Sequence, residues 1–291
     1  MQHHREMIIG LGGLALFTQT WRPDRAPRGI VLLVHGVGEH SGRYEHVAAY
    51  LVERGYAVFA LDHRGHGRSE GRRVSIRRFD EYVVDLRLYF EHIRARDPEP
   101  PVFLYGHSMG SIIALRFALL YQSELAGLIT TGTALHPHLP VPRAVIPVAR
   151  LLARVAGAVK VIPPIVLEGL SRDPAVIAAY RTDPLVYYGR LRLGWSAELY
   201  RAVTEVNRLL PALQLPCLVL HGADDPITLP AGAGAVRARA GSADLTVRVY
   251  PGLRHEIHNE PEHTQVLGDI AAWLDAHTAA PQAEDGRVSP T

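Results

Sequence analysis

The pentapeptide GHSMG at residues 106–110 places a serine between two glycines, in the spacing G-x-S-x-G. A short apolar run precedes it, and residues 111–118 after it have the spacing of a helix. A strand, a sharp turn and a helix in this order can raise a serine hydroxyl above a sheet, because the two glycines leave room for a strained turn. The pattern predicts Ser108 as a nucleophile, and a glycine-rich turn with a capping serine is the alternative interpretation.

A serine hydroxyl is a weak nucleophile, so it needs a neighbouring base and a group that orients the base. The segment PGLRHEIH at residues 251–258 follows an apolar run and presents His255 as the base. The loop HGADDPI at residues 221–227 follows another apolar run and offers a carboxylate from Asp224 or Asp225. Serine, acid and histidine in this chain order are typical of the α/β-hydrolase fold.

An acyl-transfer site also needs hydrogen-bond donors for the oxyanion that forms during the reaction. The segment VLLVHGVG at residues 31–38 reads as a strand followed by an H-G-x-G turn. We expect the backbone amides of Val37 and Met109 to be these donors. Removing one such donor typically costs about 2.7 to 4 kcal/mol in the transition state, so this turn should matter nearly as much as the reacting side chains.

The elements that must position these residues are indicated by hydrophobic spacing. Short apolar runs rich in branched residues predict strands buried on both faces. These runs are residues 30–34, 57–61, 102–105, 128–131, 217–220 and 245–250. Apolar residues three and four apart predict helices. These helices are residues 46–53, 79–94, 108–122 and 263–277. Alternating strands and helices predict an α/β fold with a mainly parallel, doubly wound sheet.

The N-terminal apolar stretch, residues 7–17, is too short to span a bilayer. A thin basic region and the lack of a prompt cleavage site favour a plain strand there over a signal peptide. The partly alternating run from Leu14 to Trp21 predicts an early strand on an antiparallel edge of the sheet. Cys217 is the only cysteine, which rules out an intramolecular disulfide framework and predicts a small core residue.

Residues 134–209 break the alternation, with eight prolines between residues 137 and 184. We interpret them as a helical cap inserted into a core made of residues 1–133 and 210–277. The apolar run 145–162 carries Arg150, Arg154 and Lys160 and predicts a cap helix. The polar tail, residues 278–291, is predicted to be disordered.

Charge gives little support for a macromolecular partner. The chain has 31 basic and 29 acidic residues and a net charge of +2, a field too weak to suggest nucleic acid. Residues 136–209 carry ten basic and five acidic side chains. A solvated arginine-rich face is the simpler interpretation of that excess, and transient contact of the cap with a membrane or micelle surface is the other. We expect a cytoplasmic protein, either free or peripheral to a membrane.

Three other motifs do not meet the requirements of their chemistry. The GVG at residues 36–38 has Ser41 where a dinucleotide fingerprint needs its third glycine, and the GLG at residues 10–12 lacks a convincing strand and helix. The HEIH at residues 255–258 is one residue short of the H-E-x-x-H zinc motif. We therefore expect neither a cofactor nor a metal.

Four segments together resemble the monoacylglycerol lipase and lysophospholipase family of serine hydrolases. They are HGVGEHSGRY at residues 35–44, LDHRGHGRS at 61–69, GHSMG at 106–110 and HEIHNE at 255–260. The likeness runs from about residue 17 to residue 277 and thins in the cap. It implies an α/β-hydrolase fold, a helical cap that forms an acyl tunnel, and hydrolysis of a monoacylglycerol through an acyl-enzyme.

Position by position, the resemblance selects Asp225 rather than Asp224 as the acid that acts with Ser108 and His255. It also implies that Val37 and Met109 supply the oxyanion amides. It further implies a place near the glycerol end of the substrate for Glu39, Arg43 and His258.

The predicted function is therefore hydrolysis of carboxylic esters with long or medium-chain acyl groups, with a monoacylglycerol as the favoured lipid ester. A lysophospholipase or a broad carboxylesterase is the nearest alternative, and a perhydrolase or acyltransferase would use the same residues. A catalytically silent binding protein with this fold is an alternative of another class, which the complete triad disfavours. Dehalogenase or epoxide hydrolase chemistry needs an aspartate nucleophile, and this chain has serine there.

Overall fold

The computed structural model describes residues 1–136 and 156–278, without the side chains of Val161 and Ile162. Within these residues, eight strands form one sheet and two short strands form a separate ribbon. The sheet contains β1 (Gln2–Ile9), β2 (Ala15–Arg22), β3 (Gly29–Val34), β4 (Tyr56–Leu61), β5 (Val102–His107), β6 (Gly127–Thr131), β9 (Cys217–Gly222) and β10 (Leu245–Tyr250). The ribbon contains β7 (Lys160–Ile162) and β8 (Leu191–Arg192).

Most of the described helices pack on one or other face of the sheet. They are α1 (Glu45–Val52), α2 (Asp80–Arg96), α3 (Met109–Tyr121), α4 (Pro174–Thr182), α5 (Leu193–Leu209), α6 (Ala231–Arg239) and α7 (His263–His277). One apolar core lies between the sheet and α2, α3, α5 and α6. A second core lies between the opposite face and α1 and α7. Strands β3, β4 and β5 are buried along their whole length because helices pack on both sides of them.

The strand order is β1-β2-β4-β3-β5-β6-β9-β10, and the last six strands in this order are parallel. This topology confirms the predicted mainly parallel, doubly wound sheet. The chain moves from β3 outward to β4 and then returns to β5 on the other side of β3. Connections that diverge in this way open a crevice beyond the carboxyl ends of the two central strands, which is where α/β sheets bind ligands.

The N-terminal edge of the sheet differs from its prediction. Residues 7–17 do not form one strand, because Gly12 and Gly13 adopt φ angles of 76° and 81° and turn the chain into a hairpin. Strand β2 pairs with β1 on one side and β4 on the other, so the predicted edge position of residues 14–21 is wrong. The edge is β1, whose mixed polar sequence QHHREMII gave no clear strand pattern.

The opposite edge also departs from the prediction. Strand β10 was expected to be buried on both faces, but it pairs only with β9 within the described sheet. Three of its six residues are exposed, among them Val249 with 40% of its surface exposed, so its faces are incompletely covered. Cys217 on the adjacent strand is fully buried, as predicted for a small core residue.

The cap was expected to include a helix over residues 145–162. The last three residues of that range, Lys160–Ile162, instead form strand β7. They pair with β8 through backbone hydrogen bonds across the ribbon, which replace helical ones there. Arg150, Arg154 and the rest of residues 145–155 lie outside the described residues. Helix α5 packs on α3, and Trp195 at its start donates a hydrogen bond of 3.1 Å to the hydroxyl of Tyr82.

The predicted division into a core, a cap and a tail stays a prediction. Thr278, placed in the tail, is an exception, because it is buried and its hydroxyl donates to the Leu274 carbonyl at 2.8 Å. The rest of the tail, residues 279–291, lies outside the described residues.

Candidate active site

Ser108 occupies the sharp turn between β5 and α3. Its backbone has φ 54° and ψ −120°, a strained conformation for a residue with a side chain. Glycines are required on both sides of it: a Cβ at Gly106 would collide with the carbonyl of Gly110, and a Cβ at Gly110 with that of Val34. The turn predicted from G-x-S-x-G is therefore present, and it holds the serine at the carboxyl edge of the sheet.

His255 follows β10 and reaches Ser108 across the crevice. Its Nε2 lies 2.9 Å from Ser108 Oγ, and its Nδ1 lies 2.7 Å from Asp225 Oδ2. All three residues are buried, with 2% to 6% of their surface exposed. Asp224, the sequence alternative for the acid, is exposed. The structure thus brings the three predicted residues together in one hydrogen-bonded line.

Asp225 is held as an ionised carboxylate by several donors. Oδ1 accepts hydrogen bonds from the backbone amides of Ile227 at 2.8 Å and Thr228 at 2.9 Å. Burial raises the pKa of Asp225, but the neighbouring imidazoles of His255 and His221 lower it by more, so it lies well below the usual range of a carboxyl. The acid can therefore accept from His255 without taking up the proton.

The surroundings of the base, His255, raise its pKa, whereas those of Asp225 lower the pKa of the acid. Burial, the largest single influence, lowers the pKa of His255, but the Asp225 carboxylate and other nearby carboxylates together raise it above the ordinary value of a histidine. Glu256 and Glu39 add smaller contributions of the same sign. An imidazole with this environment accepts a proton readily and stabilises the charge that results, as a general base must.

The turn after β3 passes directly beside the serine. A Cβ on Gly36 would lie 3.1 Å from the Cβ of Ser108. The amides of Val37 and Met109, predicted to bind the oxyanion, have no acceptor among the residues that the structure describes. Met109 is the first residue of α3, where backbone N–H groups lack partners within the helix. Within the described part of the chain, the turns on either side of Ser108 therefore each offer one amide without an acceptor, as the oxyanion prediction requires.

Side chains hold two successive peptides of this turn, and the second of these peptides carries the Val37 amide. His35 Nε2 accepts from the His63 amide at 3.0 Å, so the ring hydrogen is on Nδ1, which donates to the Gly36 carbonyl at 2.7 Å. This carbonyl belongs to the same planar peptide as the Val37 N–H and points the opposite way. The preceding peptide, between His35 and Gly36, is held by Glu39, whose Oε1 accepts from the Gly36 amide at 2.6 Å.

Glu39 and Arg43, expected near the glycerol of the substrate, are engaged with protein partners. Arg43 donates to Glu39 at 2.7 Å and binds Glu256 through two further 2.7 Å hydrogen bonds. Its guanidinium also lies 4.7 Å from the ring centre of Tyr180 on α4. Burial raises the pKa of Glu256, but Arg43 lowers it by more, to about 2. Contact of Glu39 and Arg43 with substrate stays a prediction.

His258 was the third residue assigned to the glycerol end. Its ring is fully buried between Tyr44, at 4.9 Å, and His107, at 4.8 Å between ring centres. Neither ring nitrogen has a hydrogen-bond partner within residues 1–136 and 156–278. Burial lowers the pKa of His258 to about 3, so the ring is uncharged. Its contact with substrate also stays a prediction.

The segment between β6 and β9 contacts both catalytic loops through its backbone. The amides of His255 and Glu256 donate to the carbonyls of Gly169 at 3.3 Å and Leu170 at 2.7 Å. The Tyr187 amide donates to the carbonyl of Gly38 at 2.7 Å. A displacement of this segment would therefore disturb both the base and the turn at residues 35–38 that carries the Val37 amide, the oxyanion turn.

Sequence reasoning missed Thr228, although it lies against the acid. Its hydroxyl is 2.8 Å from Asp225 Oδ2, and its amide donates to Oδ1. A signal was present, because an aspartate commonly accepts from amides two and three residues further along the chain. His221 was also passed over, and its Nε2 lies 3.1 Å from Asp225 Oδ2.

An alcohol held against an imidazole and carboxylate, on a sheet with this strand order, is the arrangement of a serine hydrolase with the α/β-hydrolase fold. The model of the Hydrolase_4 family, described as serine aminopeptidase, S33, matches residues 25–262. The chain belongs to this family.

Relatives are similar along nearly the whole chain. The monoacylglycerol lipase of Mycolicibacterium smegmatis is 39% identical over 270 residues, covering 93% of this chain and 96% of that protein. The monoglyceride lipase of Homo sapiens is 35% identical over 277 residues, covering 94% and 90%. Among solved structures, a soluble variant of the Saccharomyces cerevisiae monoglyceride lipase, in complex with a substrate analogue, has a TM-score of 0.86 and 26% identity and covers 97% of both chains. The Paleococcus ferrophilus monoacylglycerol lipase has a TM-score of 0.79 and 28% identity, over 95% of this chain and all of that one.

Proposed function

We propose that the chain hydrolyses monoacylglycerols to glycerol and a fatty acid, with Ser108 as nucleophile, His255 as base and Asp225 as the orienting acid. One observation carries the proposal: Ser108, His255 and Asp225 form a continuous hydrogen-bonded line. The chain is also similar over nearly its whole length to proteins named as monoacylglycerol lipase and monoglyceride lipase.

In the first half of the reaction Ser108 Oγ attacks the ester carbonyl while His255 Nε2 takes the hydroxyl proton. The oxyanion of the tetrahedral intermediate accepts hydrogen bonds from the Val37 and Met109 amides. When the intermediate collapses, the carbon–oxygen bond to glycerol breaks and His255 returns its proton to the departing alkoxide. The acyl group then remains on Ser108 as an ester.

The second half repeats these steps with water. His255 removes a proton from a water molecule that attacks the acyl-enzyme, and the proton returns to Ser108 as the fatty acid leaves. The Asp225 carboxylate keeps the hydrogen on Nδ1 throughout, so Nε2 is the nitrogen that exchanges protons.

Purified protein should show its highest kcat/KM on a long-chain monoacylglycerol. The comparison uses 2-oleoylglycerol, oleoyl lysophosphatidylcholine and a short-chain p-nitrophenyl ester, with fatty acid release measured by titration. A Ser108→Ala preparation made in parallel is the blank for contaminating esterases. A higher kcat/KM on the lysophospholipid would show that the proposed glycerol head group is wrong. A preference for the short ester would indicate a broad carboxylesterase.

We further propose that the ribbon side of the cap contacts the lipid interface from which the substrate is taken. Val159 has 48% and Tyr188 has 46% of its surface exposed. Their neighbours in the chain, Lys160 and Tyr187, are in contact, with the Lys160 ammonium 5.3 Å from the centre of the Tyr187 ring. Exposed apolar and aromatic side chains beside a cation suit a membrane interface, where rings sit at the headgroup level and cations meet anionic lipids. No helix in residues 1–136 and 156–278 is long and apolar enough to cross a membrane.

Val159→Asp and Tyr188→Glu should each weaken cosedimentation with vesicles of phosphatidylcholine and phosphatidylglycerol. A matched control is Leu120→Asp, because Leu120 is also 50% exposed. It lies near the C-terminal end of α3, whereas the N-terminal end of that helix adjoins Ser108. Turnover of a short soluble ester checks that each variant is folded. Equal losses in all three variants, or no vesicle binding by the wild type, would contradict a cap-specific contact.

A further inference from the structure

The hydroxyl of Thr228 lies between the acid and the base. Its Oγ1 is 2.8 Å from Asp225 Oδ2, 3.1 Å from His255 Nδ1 and 3.1 Å from the carbonyl oxygen of Gly132. The residue is buried, with 3% of its surface exposed. A side chain that merely filled space would not need an oxygen at the point where these groups meet.

The hydrogens around this oxygen can be assigned. His255 Nδ1 carries a hydrogen, because its partner at 2.7 Å is the Asp225 carboxylate, which can only accept. The Thr228 hydroxyl has one hydrogen, and the shorter, charge-assisted bond to Asp225 Oδ2 is the stronger of its two choices. The lone pairs of Oγ1 then face the Nδ1–H, so this N–H lies between two oxygens.

The ring of His221 binds the backbone of Thr228 and fixes its position. The Thr133 amide donates to His221 Nδ1 at 3.2 Å, so the ring hydrogen is on Nε2. Nε2 then donates to the Thr228 carbonyl at 2.8 Å, while the same nitrogen lies 3.1 Å from Asp225 Oδ2. The ring is fully buried. The position of the threonine is therefore set by the strand that carries the acid and by the loop after β6.

We propose that Thr228 is a positioning residue for the hydrolytic reaction, acting through Asp225 and His255 rather than on the substrate. The inference rests on the proposed function. The hydroxyl stabilises the charge on Asp225 Oδ2 and limits rotation of the imidazole while His255 carries the serine proton. Loss of the hydroxyl should therefore lower kcat more than it raises KM, because the substrate does not touch it.

The test compares two replacements of the same side chain. Thr228→Val keeps the shape and removes the oxygen, and it should lower kcat about tenfold, as expected for losing one hydrogen bond to a charged group. Thr228→Ser restores the oxygen and should recover most of the kcat that Thr228→Val loses. KM should change little in both variants.

The pH profile of kcat/KM separates positioning from a structural role. Loss of the hydroxyl has two opposing effects on the pKa of His255: less of the Asp225 charge is offset, which raises it, and Nδ1–H loses a second acceptor, which lowers it. The contact to Asp225 is the shorter one, 2.8 Å against 3.1 Å, so the acid limb should move to higher pH in Thr228→Val alone. His107, whose ring centre is 4.8 Å from that of His255, adds no competing charge because burial holds its pKa well below the usual range of a histidine.

Thr18→Val is the matched control, because this buried hydroxyl on β2 donates to the Glu6 carbonyl at 3.3 Å and belongs to no contact of the acid or the base. Its kcat and acid limb should equal those of the wild type. Wild-type kcat and pH profile in Thr228→Val, or equal losses in the valine and serine variants, would overturn the proposal. Absence of fluorophosphonate labelling of wild-type Ser108 would instead defeat the proposed function itself.

Discussion

Asp225→Asn is expected to lower kcat by about 10,000-fold while leaving the fold intact, the scale seen when an orienting carboxylate is lost from such a triad. The backbone amides of Ile227 and Thr228 both donate to Oδ1, so the amide oxygen of an asparagine must occupy that position. Its NH₂ group then faces His255 Nδ1. Since an amide NH₂ can only donate, the imidazole must carry its hydrogen on Nε2, where it cannot accept the serine proton.

Asp224→Asn is the matched control, since this neighbouring carboxylate is exposed and should be dispensable. Steady-state kinetics on a monoacylglycerol measure both variants, and thermal unfolding checks that they are folded. Comparable losses in the two variants, or near-normal turnover in Asp225→Asn, would move the acid role to another residue.

The reacting side chains could be predicted because their signals are local. The glycines on either side of Ser108 are required by the turn itself, and His255 and Asp225 each follow an apolar run that forms a strand. Since parallel strands end at one edge of a sheet, the predicted strands alone bring all three residues to the same side. The chain order of serine, acid and base then matches the topology.

The N-terminal hairpin could not be predicted in the same way. Residues 7–17 are apolar enough for one strand, and only the positive φ angles of Gly12 and Gly13 reveal a turn. The exposure of β10 could not be predicted from its sequence either. Burial of a strand depends on whether a neighbouring strand and helices cover it, and the residues within the strand do not determine that.

The contacts that support the site were the least predictable part. Arg43 binds Glu256, which is 213 residues away along the chain, and no spacing rule links the two. The roles of Thr228 and His221 depend on where a single hydroxyl or ring nitrogen points. Sequence resemblance placed Glu39 and Arg43 near the glycerol, but their hydrogen bonds suggest an additional role that can be tested separately.

Glu39→Ala is expected to lower kcat by about 100-fold, the lower end of the effect of losing one oxyanion donor. The wild-type carboxylate accepts from the Gly36 amide at 2.6 Å and from the Tyr44 hydroxyl at 2.8 Å. Alanine leaves both donors without this acceptor, so the peptide that directly precedes the one carrying the Val37 amide loses its support. Glu39→Gln can keep an oxygen facing both donors, but its NH₂ group then faces the Arg43 guanidinium, which donates to Glu39 Oε2 in the wild type. Its kcat should therefore lie between those of the wild type and Glu39→Ala.

Kinetics on two substrates separate this role from direct contact with glycerol. If Glu39 supports the oxyanion turn, kcat falls for both a monoacylglycerol and a short ester without glycerol, and KM changes little. If Glu39 binds glycerol, KM rises for the monoacylglycerol alone and the short ester is unaffected. Both variants remove a negative charge that raises the pKa of His255, so the acid limb of kcat/KM should move to lower pH in each. An unchanged limb together with an unchanged kcat in Glu39→Ala would leave the oxyanion turn supported by His35 alone.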